Sequence, residues 1–376
     1  MIPQTSPGAS YRAHQTEIDG AVARVMQSGV YILGKEVSAF ETEFSTYLGS
    51  RYGIGVGSGT DALHIALRAC GIGTGDRVAT TPLTASATAA AIEMAGAIPM
   101  FVDVDPRTGL LDPERLERAI KGAGSQRLKA IVPVHLYGYP ADMEAITALA
   151  NRYGLMVIED CAQSHGASID LRKVGTWGHM AAFSFYPTKN LGGMGDGGAV
   201  ITNDRSLAEK ALLLREYGWR ERYVSERAGV NSRLDEMQAA ILRAKLPHLD
   251  HENRRRREVA ELYARALPGA TLDTIRPTAK VQHVYHQYVV MCDRRDELLS
   301  FLKKEGIGAL IHYPVPLHRQ PAYYSRRPPQ EDALANSESM CGRVLSLPMF
   351  PELTNEQVDM VIHVVNQWET AVRVPV

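Results

Sequence analysis

The 376-residue sequence predicts an α/β fold in which a mostly parallel sheet is covered by helices on both faces. Short apolar runs at 98–104, 129–136 and 155–161 are typical of strands that are buried on both faces. Helical segments separate these runs, and such alternation indicates successive β-α units with parallel strands. Beyond residue 267 the alternation gives way to an α+β pattern, which indicates a second and smaller unit.

The predicted elements support this assignment in chain order. The first is a helix at 39–51, in which Phe40, Phe44 and Leu48 repeat at helical spacing. Next come strands at 53–56, 77–82, 98–104, 129–136 and 155–161, with helices at 61–69, 84–96, 113–123 and 141–154. Strands at 181–186 and 198–202 flank a glycine-rich loop, and the remaining elements are helices at 205–217, 234–264, 294–305 and 354–369 and strands at 285–292 and 308–313. The change of pattern at the long helix predicts a large domain of residues 1–250 and a small C-terminal domain of residues 251–376.

Composition and charge argue against several classes of protein. Lysine and arginine number 41 and aspartate and glutamate 42, so the net charge is −1 and no basic surface for nucleic acid is indicated. Four consecutive arginines at 254–257 point in all directions around a helix, which favours a solvated face. The N-terminus lacks the apolar core of a signal peptide, and glycine, proline and glutamate interrupt the apolar stretch at 85–102. We therefore expect a cytoplasmic protein that binds neither nucleic acid nor membrane.

Two further classes of site are not indicated. The four cysteines form no CxxC pair, so we expect free thiols and no metal centre. Gly193, Gly195 and Gly198 match the GxGxxG pattern of dinucleotide-binding proteins, which requires a helix directly after it. The segment AVITN follows instead and is typical of a strand, so we reject a nicotinamide-dinucleotide site.

Three motifs indicate chemistry, and each has a structural alternative. Ser58-Gly59-Thr60 lies between a strand and a helix, where backbone amides bind phosphate or where a hydroxyl only caps the helix. Asp160 ends a predicted strand and is placed to pair with a protonated ring nitrogen or a metal, or to cap the next turn. Lys189 precedes the glycine-rich loop, where it forms a Schiff base if desolvated or is an ordinary surface lysine.

These motifs, together with others in the same order, resemble the DegT/DnrJ/EryC1/StrS family of sugar aminotransferases. The matching segments are GSGTDALHIAL, VDVDP, HLYGYPADM, VIEDCAQSHGA, FSFYPTKNLGGMGDGGAV, GVNSRLDEMQAAIL and HYPVPLH. The resemblance covers residues 31–368 and implies a fold type I enzyme that depends on pyridoxal 5′-phosphate (PLP). It also implies a seven-stranded mixed sheet in the large domain, a smaller C-terminal domain, and a homodimer with active sites at its interface.

The resemblance implies roles for individual residues. Lys189 would bind PLP covalently and would move the proton between the cofactor and the sugar carbon. Asp160 would pair with the pyridinium nitrogen and keep it protonated, and Gln163 would hydrogen-bond the phenolic oxygen. The residues that would hold the phosphate are Gly59, Thr60, Ser184 and, from the neighbouring subunit, Asn231.

One position departs from the family pattern. Ala85 follows Thr84, where many family members carry an aromatic side chain that would stack on the cofactor ring. That ring face is therefore open or is covered by another residue, for which His165 is a candidate. Lys189, in contrast, agrees with the family pattern of an aminotransferase. Relatives with histidine at this position dehydrate sugars, so the lysine favours transamination.

The resemblance implies a ping-pong reaction between two substrates. L-Glutamate would convert PLP to its amino form, PMP, which would then aminate a keto-sugar linked to a nucleotide. The segment 214–242 is more similar to 3-keto-sugar enzymes than to 4-keto-sugar enzymes, which favours a dTDP-3-keto-6-deoxyhexose. Open alternatives are a 4-keto-sugar or scyllo-inosose aminotransferase, a PLP-dependent sugar dehydratase, and a non-catalytic regulator, which Lys189 and Asp160 disfavour. Candidate substrate contacts are Tyr31, Tyr186, Tyr223, Tyr313 and His318.

Overall fold

A computed structural model describes residues 1–123, 128–267, 272–326 and 331–373. The strands are β1 Tyr52–Val56, β2 Arg77–Thr80, β3 Ile98–Phe101, β4 Leu128–Val132, β5 Met156–Asp160, β6 Ser168–Ile169, β7 Arg172–Lys173, β8 Met180–Ser184, β9 Gly198–Thr202, β10 Trp219–Glu221, β11 Val224–Ser225, β12 Asp273–Thr274, β13 Val281–Gln282, β14 Tyr288–Met291 and β15 Val344–Leu347. Seven of them form the central sheet in the order β1-β9-β8-β5-β4-β2-β3. Strand β9 runs antiparallel to both of its neighbours, whereas β8, β5, β4, β2 and β3 are parallel.

The α-helices surround this sheet and build the C-terminal part of the chain. They are α1 Pro7–Ala13, α2 Gln15–Ser28, α3 Lys35–Leu48, α4 Gly59–Ala69, α5 Ser86–Met94, α6 Pro113–Ala123, α7 Met143–Tyr153, α8 Arg205–Arg215, α9 Glu236–Lys245, α10 Leu249–Ala266, α11 Arg295–Lys304, α12 Ala335–Arg343 and α13 Asn355–Arg373. Within the described residues, no helix is both long and apolar enough to span a bilayer.

Apolar side chains cover the sheet on both faces, as predicted. Alternate residues of a strand point to opposite faces, and β8 shows this directly. Ala182 packs in one buried cluster with residues of α4, α5 and α8. Ala181 and Phe183 pack in another cluster with residues of α3 and α9. The predicted α/β class and mostly parallel mixed sheet are thus confirmed.

The structure differs from the predicted elements in several places; helix α12 and strand β15, for example, lie where no element was predicted. Helices α1 and α2 lie in the first 28 residues, where no element was predicted. The long helix predicted at 234–264 is two helices, α9 and α10, because Pro247 lies in a 3₁₀ turn between them and cannot donate a backbone hydrogen bond. The strand predicted at 308–313 is reduced to one bridge between Leu310 and Ser346, and two prolines follow at 314 and 316.

The arginine run at 254–257 is not the solvated face that was predicted. Arg256 is buried, and its guanidinium donates to the Met349 carbonyl at 3.0 Å. Arg255 donates to the Leu353 carbonyl at 2.9 Å. Of the four, only Arg254 is exposed, and Arg255 and Arg256 connect α10 to the segment before α13.

The predicted boundary between residues 250 and 251 falls inside the first turn of α10 and stays a prediction. A buried apolar cluster drawn from residues 259–368 joins α10, α11, α13, β14 and β15 and is separate from the clusters that cover the sheet. The N-terminus contacts this part of the chain, because Ile2 forms a parallel bridge with Ile307.

The cysteines lie within the packed interior or beside it. Cys161, Cys292 and Cys341 are buried and Cys70 is half-buried, and all four are free thiols. Burial raises the pKa of the Cys70 and Cys341 thiols to about 12. Each thiol is therefore protonated at neutral pH and is a poor nucleophile.

Candidate active site

Asp160 ends β5 at the carboxyl edge of the parallel strands, where ligands bind in α/β proteins. Its side chain is buried and accepts hydrogen bonds from the Thr88 hydroxyl at 2.9 Å and the Ala162 amide at 3.2 Å. Burial raises the pKa of Asp160, while these two donors and the nearby charge of Lys189 act in the opposite direction. The Ala162 contact is the turn cap considered above, but the buried carboxylate still requires a cationic or protonated partner.

Lys189 lies in the loop that follows β8, and its amide donates to the Tyr186 carbonyl at 2.8 Å. The residue is half-buried, and desolvation lowers the pKa of its ammonium group to about 8, although Asp160 acts against this. At pH 7 roughly a tenth of such amines are neutral, against fewer than one in a thousand for an ordinary lysine. Desolvation thus makes the Lys189 amine more nucleophilic at neutral pH than that of an ordinary surface lysine.

The start of α4 forms a cup beside the end of β8. Ser58 caps the helix by accepting a hydrogen bond from the Asp61 amide at 3.1 Å, which confirms the capping interpretation of this serine. Gly59 packs so closely on Ser184 that a Cβ atom at Gly59 would lie 2.5 Å from the Ser184 Cβ. Glycine is thus required here, and it brings the positive end of a helix next to the Ser184 hydroxyl. This arrangement is suited to a phosphate.

Gln163 is buried, and its carboxamide has one defined orientation. Its Oε1 accepts from the Tyr137 amide at 2.6 Å, and its Nε2 lies 3.1 Å from the Tyr313 hydroxyl. Because Oε1 is already engaged by a donor, Nε2 is the atom that is presented to a ligand. The Tyr137 hydroxyl in turn donates to the His312 carbonyl, so the loop at 312–313 is attached to this site.

The substrate-contact candidates fall into two groups. Tyr313 lies beside Gln163, and burial raises the pKa of its hydroxyl to about 12; Tyr186 is exposed three residues before Lys189. The other three have no contact with Lys189 or Gln163 among the described residues. Tyr31 and Tyr223 are exposed, whereas His318 is buried and lies 2.7 Å from Glu338. The structure thus brings two of the five candidates to the lysine and the glutamine.

Asn231 is exposed, unlike the other predicted phosphate ligands Gly59, Thr60 and Ser184, which are half-buried. Its backbone pairs with Glu216. The next residue, Ser232, donates to the Asp61 carboxylate at 2.8 Å and accepts from the Gly57 amide at 2.9 Å. The backbone beside Asn231 is therefore fixed, while its carboxamide faces outward.

Among the described residues, no contact places His165 beside Ala85, where the cofactor ring face would be open. The His165 ring is buried against Phe44, Phe183 and Phe185, with centroid separations of 6.4, 5.3 and 5.8 Å. Phe183 belongs to the apolar cluster that packs against α3, on the sheet face opposite Ser184. Burial lowers the pKa of His165 to about 3, so the ring is neutral.

Sequence reasoning missed several residues that hold this site together. Thr88 binds Asp160 directly, and the Thr84 hydroxyl lies 3.1 Å from that of Thr88. Glu159, next to Asp160, accepts from the Gly175, Trp177 and Gly178 amides, each at 2.8 Å. The one available signal was a second threonine in the alanine-rich segment 84–96, one helical turn after Thr84.

The fold, with a desolvated lysine opposite a buried carboxylate, defines an enzyme of the PLP-dependent aminotransferase class. The chain belongs to the DegT/DnrJ/EryC1/StrS aminotransferase family, whose sequence model matches residues 12–366. The cofactor of this family is PLP, and one solved relative, NtdA from Bacillus subtilis, contains PMP. The predicted family, enzyme class and cofactor are thus confirmed.

Individual relatives are similar over almost their whole length. The pleiotropic regulatory protein of Geobacillus stearothermophilus is 47% identical over 96% of this chain and 96% of its own. The dTDP-3-amino-3,4,6-trideoxy-α-D-glucose transaminase of Streptomyces venezuelae is 46% identical over 98% of this chain and 96% of its own. The crystal structure of DesV from S. venezuelae, in complex with a ketimine intermediate, superposes with a TM-score of 0.95 at 46% identity and covers 100% of this chain and 99% of that one.

Proposed function

We propose that this enzyme transfers the amino group of L-glutamate to a nucleotide-linked keto-sugar, and that the acceptor is a dTDP-3-keto-6-deoxyhexose. The product would be a 3-amino-3,6-dideoxy sugar that is still linked to dTDP. The observation that carries the proposal is the placement of Lys189, with a pKa of about 8, in electrostatic contact with the buried Asp160 carboxylate. The acceptor is inferred from the S. venezuelae relative, which is named for a dTDP-linked 3-amino sugar.

The residues of the site fit PLP by shape and by charge. The cup at Gly59, Thr60 and Ser184 would hold the phosphate, because the start of α4 meets the Ser184 side chain where a Cβ atom would not fit. Asp160 would accept a hydrogen bond from the protonated ring nitrogen, which is the cationic partner that a buried carboxylate requires. Gln163 would donate from Nε2 to the phenolic oxygen, since its Oε1 is held by Tyr137. When bound, PLP supplies a ring that accepts the electron pair of the carbon that loses its proton.

Lys189 would carry out the proton transfers of both half-reactions. Its lowered pKa of about 8 allows the same nitrogen to accept a proton from carbon and to return it near neutral pH. Asp160 would keep the ring nitrogen protonated, which requires the carboxylate to stay ionised despite its burial. The hydrogen bonds from Thr88 and from the Ala162 amide favour that ionised form.

The sugar would bind above these groups. Tyr313 and Tyr186 are placed to contact it within the same chain, and Tyr31, Tyr223 and His318 are proposed as further contacts. The small side chain of Ala85 would leave room beside the cofactor, and His165 would not fill it because its ring packs against Phe183.

We also propose that the enzyme is a cytoplasmic homodimer in which Asn231 reaches the cofactor phosphate of the neighbouring subunit. Exposed apolar side chains support an interface around the start of α9. Ile32, Met194 and Met237 are 44%, 42% and 38% exposed. Ile32 pairs with Asp235, and the Met194 amide donates to Gln238 on α9, so these side chains share one surface.

The proposal is tested with purified, PLP-loaded enzyme in two steps. L-Glutamate is added first, and loss of the visible absorption band with release of 2-oxoglutarate is expected. The amino form is then offered a panel of dTDP-3-keto-6-deoxyhexoses, dTDP-4-keto-6-deoxyhexose, UDP-linked 3-keto sugars and scyllo-inosose, and aminated products are detected by mass spectrometry. Lys189→Ala is the matched control.

Each result has a defined meaning. Amination of a dTDP-3-keto sugar with at least tenfold higher kcat/KM than the other acceptors supports the full proposal. Preference for the 4-keto sugar, the UDP sugars or the cyclitol would refute the proposed acceptor but would still support an aminotransferase activity. Loss of water from the sugar without amino transfer, or no response to glutamate, would refute the proposed reaction.

A further inference from the structure

A cluster of two histidines and two glutamates, to which the proposed reaction gives no role, lies between the N-terminal helices and the joint of α9 and α10. His14 lies between α1 and α2, and Glu17 is in the first turn of α2. His248 ends the 3₁₀ turn at Pro247, and Glu252 is in the first turn of α10. One ligand atom from each of His14, Glu17 and His248 can be chosen so that all lie within 4.8 Å of one another.

Each segment contributes one histidine and one glutamate at a helical spacing. Glu17 is three residues after His14 and Glu252 is four residues after His248, so each pair lies on one side of its segment. The contacts cross between the segments. The His14 Nε2 is 2.7 Å from the Glu252 carboxylate, and the His248 Nε2 is 3.0 Å from the Glu17 carboxylate.

These four groups have the composition of a transition-metal site. Imidazole nitrogen and carboxylate oxygen both bind Zn²⁺ at about 2.0–2.2 Å, so neighbouring ligands of one tetrahedral ion lie roughly 3.3–3.6 Å apart. The nitrogen–oxygen separations of 2.7 and 3.0 Å are shorter, so each pair must open for the ion to enter, and Glu252 must move towards the group of His14, Glu17 and His248. Two carboxylates also offset the charge of a divalent ion. The imidazole rings are stacked, with centroids 4.3 Å apart and planes inclined at 25°, so each ring must turn about its Cβ–Cγ bond to direct Nε2 at a shared ion.

We propose that His14, Glu17, His248 and Glu252 bind one Zn²⁺ ion, which connects the N-terminal helices to the joint of α9 and α10. Each imidazole would bind the ion through the Nε2 lone pair and carry its proton on Nδ1, and each carboxylate would bind the ion in place of its contact with the imidazole. The site does not depend on the proposed substrate. Its position matters for the enzyme because Thr5 and Ser6, just before α1, line the same small cavity as Thr188 and Lys189. The ion would therefore hold in place the segment that lies behind the lysine loop.

The test measures zinc binding directly on tag-free, PLP-loaded protein. Equilibrium dialysis against micromolar Zn²⁺, followed by elemental analysis, is expected to give one zinc per chain. His14→Ala and His248→Ala should each weaken binding about 100-fold or more, and Glu17→Gln, at the most exposed of the four side chains, about 10-fold. His363→Ala removes an exposed histidine of α13 and is the matched control, which should bind as the wild type does.

A second readout is independent of affinity. Co²⁺ in place of Zn²⁺ is expected to give a visible ligand-field spectrum that the His14 and His248 variants lack, with the PLP absorption band unchanged. The melting temperature should rise with Zn²⁺ in the wild type and in His363→Ala, but not in the other two histidine variants. Equal zinc binding in the wild type and all four variants, binding at millimolar concentration only, or a change in the PLP band in place of a cobalt spectrum would overturn the proposal.

Discussion

Replacement of Thr88 by valine tests the electrostatic argument for Asp160. Valine has nearly the shape of threonine but lacks the hydroxyl that donates to the buried carboxylate at 2.9 Å. This hydrogen bond lowers the pKa of Asp160, against the effect of burial, which raises it. Without the hydroxyl, the pKa rises further and a larger share of the carboxyl group is protonated at neutral pH.

The size of the effect follows from the kind of bond that is lost. A hydrogen bond to a charged group contributes about 1.5–3 kcal/mol, which corresponds to a rise of roughly 1–2 pKa units. If the whole of this energy supports the ionised carboxylate during proton transfer, the half-reaction with L-glutamate should slow by roughly 10- to 150-fold. Binding of glutamate should change little, because Thr88 is buried beneath the site.

The assay is single-turnover absorbance with PLP-loaded protein mixed with saturating L-glutamate. Thr84→Val is the matched control, since among the described residues the Thr84 hydroxyl hydrogen-bonds only that of Thr88, at 3.1 Å, and its loss should slow the reaction much less. Circular dichroism and melting temperature confirm that both variants fold. A Thr88→Val enzyme that reacts at the wild-type rate would refute the idea that this hydrogen bond keeps Asp160 ionised.

Four further predictions follow from other contacts. The rate at which the apoenzyme captures PLP covalently should rise about tenfold per pH unit up to about pH 8 and then level off, because Lys189 has a pKa of about 8 and reacts when neutral. Stopped-flow absorbance measures this rate, and a rate that still rises at pH 10 would contradict the prediction. Gly59→Ala should weaken PLP binding by tenfold or more in an equilibrium titration, since the added Cβ would lie 2.5 Å from the Ser184 Cβ; unchanged affinity would show that the cup adapts. Asn231→Ala should speed PLP loss on dialysis without altering the fold, and wild-type retention would remove Asn231 from the phosphate site. Leu171→Gly should raise the free energy of unfolding by about 0.5–1 kcal/mol in urea melts, because Leu171 has φ 69° and is 94% exposed, whereas Leu171→Ala, which keeps a Cβ, should not.

Much of the sheet could be predicted because its strands are buried on both faces. Runs such as 129–136 and 155–161 are so apolar that alternation with helices was visible without any structure. Helix α2 was missed because only Ile18, Ala21 and Val25 are buried on it, which leaves a weak apolar stripe in a polar sequence. The break between α9 and α10 was missed because the periodic pattern continues across Pro247.

The candidate site was predictable in part and for a different reason. Asp160 and Lys189 were found because each stands at the end of a strand beside a recognisable motif, and the structure brings their charges together. Thr88 and Tyr137 were not found, because their contacts with Asp160 and Gln163 join segments 72 and 26 residues apart. Such pairings depend on tertiary packing, which local sequence patterns do not specify.

The buried thiols provide a probe of unfolding that needs no engineering. With raised pKa values, Cys161 and Cys341 should resist alkylating reagents in the native state and react only when the surrounding structure opens. They report on different clusters, because Cys161 belongs to the apolar cluster that packs against α3, and Cys341 to a cluster that joins residues 83–139 to β14 and α12. The relative labelling rates of the two, read by mass spectrometry, would reveal whether the sheet and its contact with the C-terminal part of the chain open together or in sequence.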